Sequence, residues 1–106
     1  MIIDSMERMI RGWFIGDFEP SILRTKDFEV AYLRHAKGEK WDAHYHAESV
    51  EYNYLIRGSM IIQGTTLKAG DIFVLEKGEV ADPDFLEDCE LICVKVPSIP
   101  SDKYKV

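Results

Sequence analysis

Two histidines and a glutamate stand close together in the stretch HYHAESVEYNY, residues 44–54. His44 and His46 project from the same face if they lie on a β-strand, because successive residues of a strand alternate between its two faces. Glu51 can join them from the next strand, after a turn through residues 47–50. Two neutral imidazoles and one carboxylate on one side of a divalent ion leave its other positions open to water or substrate. The spacing therefore predicts a catalytic metal site with His44, His46 and Glu51 as ligands.

Two glycines at fixed distances strengthen this interpretation, since a His-x-His pair alone is common among surface and core histidines. Gly38 lies before the histidines and Gly58 lies after the glutamate, which gives the pattern G-x5-HxH-x4-E-x6-G. This pattern resembles the first signature motif of the cupin superfamily, and residues 67–85, LKAGDIFVLEKGEVADPDF, resemble the second. The resemblance implies a jelly-roll β-barrel with a divalent metal ion in its mouth, such as iron, manganese, nickel or zinc.

The second motif departs from the family pattern at a position that matters for a metal. Gly70 and Gly78 are kept, but Ala81 stands where metal-binding cupins typically have a histidine that serves as the fourth ligand. Alanine cannot coordinate an ion. Three alternatives follow: a three-ligand site with additional open positions, a neighbouring residue that replaces the histidine, or a site that has lost its metal.

Two further residues are candidates for this site. Asp82 follows the alanine, although its side chain would need a β-bulge to point inward. Asn53 shares the strand face of Glu51 and could hydrogen-bond a ligand or orient the glutamate. Glu51 itself could serve as a catalytic base in addition to binding the metal. A divalent ion with these ligands keeps a net charge of about +1, which favours an anionic or chelating substrate and lowers the pKa of bound water.

The composition limits the other functions. The chain has 13 basic and 19 acidic residues and a net charge of −6, with no basic cluster that could attract a phosphate backbone. We therefore expect neither nucleic acid nor a membrane as a partner. Cys89 and Cys93 are the only cysteines, and on one strand their sulfur atoms would lie about 13 Å apart, beyond disulfide range. We expect two buried, reduced thiols.

The elements that must position the site are short strands separated by glycines. Candidate strands are residues 12–15, 28–35, 41–46, 50–57, 59–63, 71–75 and 90–96. Together with the resemblance, this pattern predicts an all-β fold: a single-domain cupin-type jelly-roll β-barrel or double-stranded β-sandwich over residues 1–106, with motif one at 38–58 and motif two at 70–85. Residues 97–106 contain two prolines and few apolar side chains, so we expect them to leave the sheet as a C-terminal tail.

Residues 50–57 carry apolar or aromatic groups on both faces of their strand, which indicates contact with a second layer or with another subunit. We therefore expect a homodimer. Asp4 and Glu7 interrupt the apolar stretch that a secretory signal would have, so we expect a cytoplasmic protein.

The function predicted from these residues is metal-dependent action on a small polar or anionic metabolite in the barrel mouth, by dioxygenation or isomerisation. Two alternatives stay open. One is a barrel that binds a sugar-like molecule without turnover, and the other is a structural barrel whose site is vestigial. The fold alone cannot choose among them, because one fold supports many functions.

Overall fold

The computed structural model describes residues 1–106 as ten short β-strands and one turn of 3-10 helix, Met6–Arg8. The strands are β1 (Trp13–Ile15), β2 (Glu29–His35), β3 (His44–Tyr45), β4 (Val50–Arg57), β5 (Ser59–Ile62), β6 (Thr65–Lys68), β7 (Ile72–Leu75), β8 (Asp84–Phe85), β9 (Cys89–Val96) and β10 (Tyr104–Lys105). No helix in the structure has the length and apolar character that crossing a membrane would require.

The strands form three antiparallel sheets. Five strands in the order β1-β2-β9-β4-β7 form the largest sheet, three in the order β6-β5-β8 form the second, and β10 pairs with β3. Because β9 lies between β2 and β4, the chain crosses repeatedly between sheets, as in a jelly roll rather than a meander. The prediction of an all-β jelly-roll sandwich is confirmed.

Each predicted strand corresponds to a strand of the structure, although the segment predicted over 41–46 is reduced to β3. Three strands of the structure, β6, β8 and β10, were not predicted from the sequence. β8 has only two residues and pairs with β5 through Met60↔Phe85 and Ile61↔Asp84. So short a strand depends on its neighbour and leaves no alternating pattern in the sequence.

Alternate residues of the strands fill the interior. On β4, Asn53 and Leu55 are buried and Glu51 is largely so, whereas Tyr52 and Tyr54 lie exposed on the outer face. The polar inward residues precede Leu55 along the strand, so the polar part of the interior adjoins the apolar core. Both cysteines are buried and free, as predicted. The core consists of Leu55, Met60, Ile62, Leu75, Ala81, Phe85, Cys89 and Leu91.

The C-terminal segment corrects one prediction. We expected residues 97–106 to leave the sheet as a tail, but Tyr104 and Lys105 form β10 and pair with β3. The carboxylate of Asp102, a residue only 3% exposed, accepts hydrogen bonds of 2.8 to 2.9 Å from the backbone N–H groups of residues 47–49. Backbone donors that are shielded from water need such a partner. These hydrogen bonds hold the C-terminal segment against the part of the chain that carries the histidines.

Gly58, the second glycine of the first motif, stands where no side chain fits. Its φ is +91°, and a Cβ atom here would lie 2.4 Å from the carbonyl oxygen of Asp88. Gly38, the first glycine of the motif, has a φ of +82° but no atom within 4 Å of its Cβ position. The two glycines therefore share a backbone conformation and differ in the space around them.

We expect Gly58→Ala to lower the free energy of unfolding by at least about 2 kcal/mol more than Gly38→Ala. Both variants carry a left-handed strain of about 1 kcal/mol, and Gly58→Ala adds a clash with the backbone. Urea denaturation followed by circular dichroism measures both losses. Equal losses would show that the backbone at Asp88 moves aside at little cost, which contradicts the prediction.

Candidate functional site

The three predicted ligands lie together in the interior. His44 begins β3, His46 comes directly after β3, and Glu51 is the second residue of β4. The histidines are 8% and 5% exposed, and their ring centroids lie 5.5 Å apart. The Nε2 atom of His46 lies 3.2 Å from Oε2 of Glu51. The short connection between β3 and β4 thus brings a carboxylate to two imidazoles, and their binding of a metal stays a prediction.

Backbone carbonyl groups fix the orientation of both imidazole rings. Nδ1 of His44 lies 3.1 Å from the carbonyl oxygen of Asp42, and Nδ1 of His46 is hydrogen-bonded to the carbonyl oxygen of Asp102. A carbonyl oxygen can only accept, so Nδ1 is the donor and Nε2 is left for another partner. Metal-binding histidines are commonly held in this way.

The contact between His46 and Glu51 places a negative charge beside Nε2. Burial alone would raise the pKa of Glu51, but the hydrogen bond from His46 and the charge of Lys95 lower the pKa to about 2. The carboxylate is therefore ionised at neutral pH, and it faces a ring whose first proton is placed on Nδ1. A cation bound to both residues satisfies this contact.

His44 is held in the form that binds metals. Burial lowers the pKa of His44, the hydrogen bond to Asp42 opposes this effect, and the charge of Lys103 lowers the pKa further. The ring is therefore neutral at pH 7. The low pKa of Glu51 makes its carboxylate a weak proton acceptor at neutral pH. The ionised carboxylate fits Glu51 as a ligand, and its role as a base stays a prediction.

The fourth side of the site is a methyl group. Ala81 lies opposite His44, and the two residues exchange backbone hydrogen bonds of 3.0 and 2.7 Å. This is the position where the motif resemblance implies a histidine. No group of three or more His, Cys, Asp or Glu side chains is already spaced to hold a metal ion. The donor types and ring orientations fit a divalent ion, but the three side chains would have to move closer together to bind it.

Asp82 is not part of the site, which corrects its prediction as a candidate ligand. Its side chain is exposed and accepts a hydrogen bond of 2.8 Å from the backbone N–H of Gln63. Ala81 and Pro83 line the cavity on either side of it, so the alternation of side chains turns Asp82 outward. Asn53, the other candidate, does line the cavity and is 4% exposed.

Two residues of β9 approach the site without having been predicted there. Sγ of Cys93 donates to Oε1 of Glu51 at 3.3 Å, and burial and the charge of Glu51 raise the pKa of this thiol well above its usual value. Lys95 is paired with Glu51 in the strand register, and its Nζ atom lies 4.8 Å from the ring centre of Trp13. Strand alternation could have found both, because one face of β9 carries Cys89, Leu91, Cys93 and Lys95.

The C-terminal segment supplies a second lysine. Nζ of Lys103 lies 4.5 Å from the ring centre of Trp41, where an aromatic face attracts a cation. Burial and the charges of Lys95 and Arg11 lower the pKa of Lys103. No signal in the sequence placed Lys103 here, because its segment was expected to leave the sheet. The charges of two lysines therefore act on Glu51.

A cavity of about 1170 Å³ opens beside these side chains. Its lining includes both histidines, Glu51 and the two lysines, together with core residues such as Met60, Ile62, Leu75, Phe85 and Leu91. An apolar wall with a few polar groups that fix orientation is typical of a site for a small molecule.

Solved structures have the same fold. An uncharacterized conserved protein with a double-stranded β-helix domain from Klebsiella pneumoniae subsp. pneumoniae MGH 78578 is 24% identical, with a TM-score of 0.71 over 80% of this chain and 75% of that chain. A cupin-2 domain containing protein from Shewanella frigidimarina NCIMB 400 is 22% identical, with a TM-score of 0.58 over 71% and 76%. An acetylacetone dioxygenase from Acinetobacter johnsonii is 19% identical, with a TM-score of 0.60 over 67% and 52%.

No protein-family model and no curated protein sequence matches the chain. At these identities the structural likenesses show the fold. The chain has the double-stranded β-helix fold of these structures, so the fold that the motif resemblance implied is confirmed.

We expect Asp102→Asn to lower the stability at pH 7 by about 1–3 kcal/mol, because a neutral amide replaces a carboxylate that accepts three backbone hydrogen bonds. Burial alone would raise the pKa of Asp102, but the N–H groups of residues 47–49 lower it. A group with a depressed folded-state pKa stabilises the protein above its unfolded pKa and loses this effect in acid. The difference between wild type and variant should therefore narrow below about pH 4.

Asp42→Asn is the matched control, since the side chain of Asp42 is 82% exposed and pairs with Lys105 at 3.5 Å. Scanning calorimetry at neutral and acid pH measures the melting temperature of each protein. A loss in Asp102→Asn that is no larger than in the control, or that does not depend on pH, would contradict the prediction.

Proposed function

We propose that this protein binds a divalent metal ion through His44, His46 and Glu51 and acts on a small anionic metabolite in the cavity. The observation that carries the proposal is the orientation of the two imidazoles. Backbone carbonyls hold both Nδ1 atoms, so Nε2 is the ring nitrogen available to an ion. The ionised carboxylate beside Nε2 of His46 supplies the negative charge that a cation needs.

The ion, when bound, polarises an oxygen atom coordinated to it. The side chains of the chain determine which molecule presents that oxygen. Lys95 and Lys103 carry positive charge close to Glu51, and Lys95 also pairs with Glu29 at 3.9 Å, so the two lysines offset the two glutamates. The bound ion would then supply the net positive charge that favours a negatively charged molecule over a neutral one. The small side chain of Ala81 leaves space on the side where a fourth protein ligand would stand, and open positions are typical of catalytic sites.

The reaction class that we infer is dioxygenase-like or isomerase-like. Its support is analogy, because an acetylacetone dioxygenase has the same fold and one fold serves many reactions. The apolar part of the cavity lining would exclude water from a bound molecule, which protects reactive intermediates from hydrolysis.

A second candidate function is binding of a sugar-like or anionic molecule without turnover. Ala81 in place of a fourth ligand favours it, and so does the absence of side chains already spaced around an ion. Histidine and lysine side chains can hold an anion through charge-assisted hydrogen bonds alone. The two candidates differ in their need for a metal.

The homodimer stays a prediction, and we propose that the second copy covers the outer face of the five-stranded sheet. The register places Tyr52 beside Val74 and Tyr54 beside Ile72, and all four are 39–75% exposed. An apolar patch across adjacent strands is typical of an interface. A two-fold interface must be self-complementary, and the same sheet carries charges of both signs, on Arg34, Arg57 and Glu90.

We expect untagged protein to bind about one equivalent of iron, manganese, nickel or zinc, measured by mass spectrometry after gel filtration. His44→Ala and His46→Ala should each weaken metal binding by about 100-fold or more, because each removes a ligand. His35→Ala is the control, since His35 stacks on Phe85 at 4.2 Å and bonds Glu39 instead of a site residue. Protein that refuses all four ions would contradict metal binding and favour the second candidate. Variants that keep the ions would contradict His44 and His46 as the ligands.

We expect the wild type to sediment as a dimer at micromolar concentration and Tyr54→Lys to sediment as a monomer, because the lysine places an unpaired charge within the apolar patch. Tyr104→Lys is the control, since Tyr104 is 47% exposed but lies on β10, outside this sheet. A monomeric wild type, or a dimer that survives Tyr54→Lys, would refute the proposed interface.

A further inference from the structure

Asn53 carries a hydrogen-bond donor that the structure leaves without a partner. The residue is 4% exposed, and its Nδ2 group is buried and makes no hydrogen bond. A buried N–H without a partner loses its hydration and gains nothing in return. Buried polar groups are nearly always paired, so an exception needs an explanation.

The side chains paired with Asn53 on the neighbouring strands do not accept a hydrogen bond from its Nδ2 group. Its partners in the register are Phe73 on β7 and Cys93 on β9. Phe73 has no polar side-chain atom, and the thiol of Cys93 donates to Glu51. The structural explanation, that Asn53 ties neighbouring strands together, therefore has no contact to support it.

The place of Asn53 in the cavity suggests what the amide is for. Asn53 follows Glu51 by two residues on the inward face of β4, which puts it about 7 Å further along the strand. The next inward residue, Leu55, belongs to the apolar core. Asn53 lines the cavity, so it is a polar group between the charged side chain of Glu51, which we call the mouth, and the apolar core.

We propose that Asn53 is a recognition residue, whose Nδ2 donates a hydrogen bond to an acceptor oxygen of the bound metabolite. The inference rests on the proposed function, because it places the metabolite in the same cavity. It adds a ligand class: a molecule with an anionic group at the mouth and a second acceptor oxygen several carbon atoms away. The last torsion of an asparagine is broad and roughly two-fold, so rotation about it exchanges Nδ2 with Oδ1 and turns the donor towards the cavity without moving the backbone.

The first test compares stability without any ligand. A recognition residue that is unpaired in the free protein should be replaceable at no cost, so Asn53→Leu and Asn53→Ala should melt at or above the temperature of the wild type. Ser49→Ala is the control, because Ser49 is 1% exposed and its hydroxyl donates to the carbonyl oxygen of Pro97 at 3.0 Å. The control should melt lower. A fall in both Asn53 variants similar to that of the control would overturn the proposal in favour of a structural role.

The second test measures recognition with two probes, 5-oxohexanoate and hexanoate. They share their charge and carbon chain and differ by one ketone oxygen. Calorimetric titration of the zinc-loaded wild type should show about threefold to tenfold tighter binding of the oxo acid, the value of one hydrogen bond. Asn53→Leu should bind the two acids equally, and its zinc content should be unchanged.

The outcomes separate this proposal from the function on which it rests. Equal binding of the two acids by the wild type overturns recognition by Asn53, whether or not zinc is bound. A preference for the oxo acid that survives Asn53→Leu overturns it as well. If neither acid binds zinc-loaded protein, the anionic ligand class fails, and the melting temperatures then decide the role of Asn53. If zinc does not bind at all, the metal proposal fails, and the comparison of the two acids is made on metal-free protein with the same criteria.

Discussion

The buried carboxylate of Glu51 is the group on which the rest of the interior depends. A charge taken out of water destabilises a protein by several kcal/mol unless neighbours compensate it. His46 compensates it from the β3–β4 connection, and Cys93 and Lys95 do so from β9. All three contacts require Glu51 to face inward, and the regular register between β4 and β9 from Val50 to Leu55 satisfies that requirement. The same strand pairing therefore serves the fold and the candidate site.

The C-terminal segment extends this dependence to a distant part of the chain. Asp102 lies 56 residues after His46, yet its carbonyl group orients the imidazole while its carboxylate satisfies the turn that leads to β4. The next residue, Lys103, lines the cavity. Both residues lie directly before β10, and the pairing of β10 with β3 keeps them in place. The segment is therefore a wall of the candidate site.

These contacts also explain which parts of the molecule could be predicted from the sequence. His44, His46 and Glu51 lie within eight residues, so strand alternation and one tight turn determine how they meet. The longer strands could also be predicted from the sequence, since each contains enough residues to show a period of two. Alternation along β9 would also have placed Cys93 and Lys95 at the site.

The remaining features depend on tertiary contacts that leave no local signal. β10 has two residues, and only its partner β3 makes it a strand, so the positions of Asp102 and Lys103 could not be predicted. Asp82 shows that proximity in sequence does not determine whether a side chain faces the site. It lies next to Ala81 in sequence, but one step of alternation turns it to the outside, where the backbone of Gln63 needs an acceptor.

Ala81 departs from the motif that the sequence resembles, and Asn53 departs from the rule that buried polar groups are paired. Ala81 places an apolar group where the motif resemblance implies a polar ligand, and Asn53 keeps a polar group where an apolar one would cost less. Both residues leave a contact for a bound molecule to make. Ala81 leaves space beside His44, and Asn53 leaves an unpaired donor in the cavity wall. A molecule that fills the space and accepts the hydrogen bond gains free energy that the free protein forgoes. The stability of this interior is thereby coupled to occupancy of the cavity, since the ligand completes contacts that the chain alone leaves unmade.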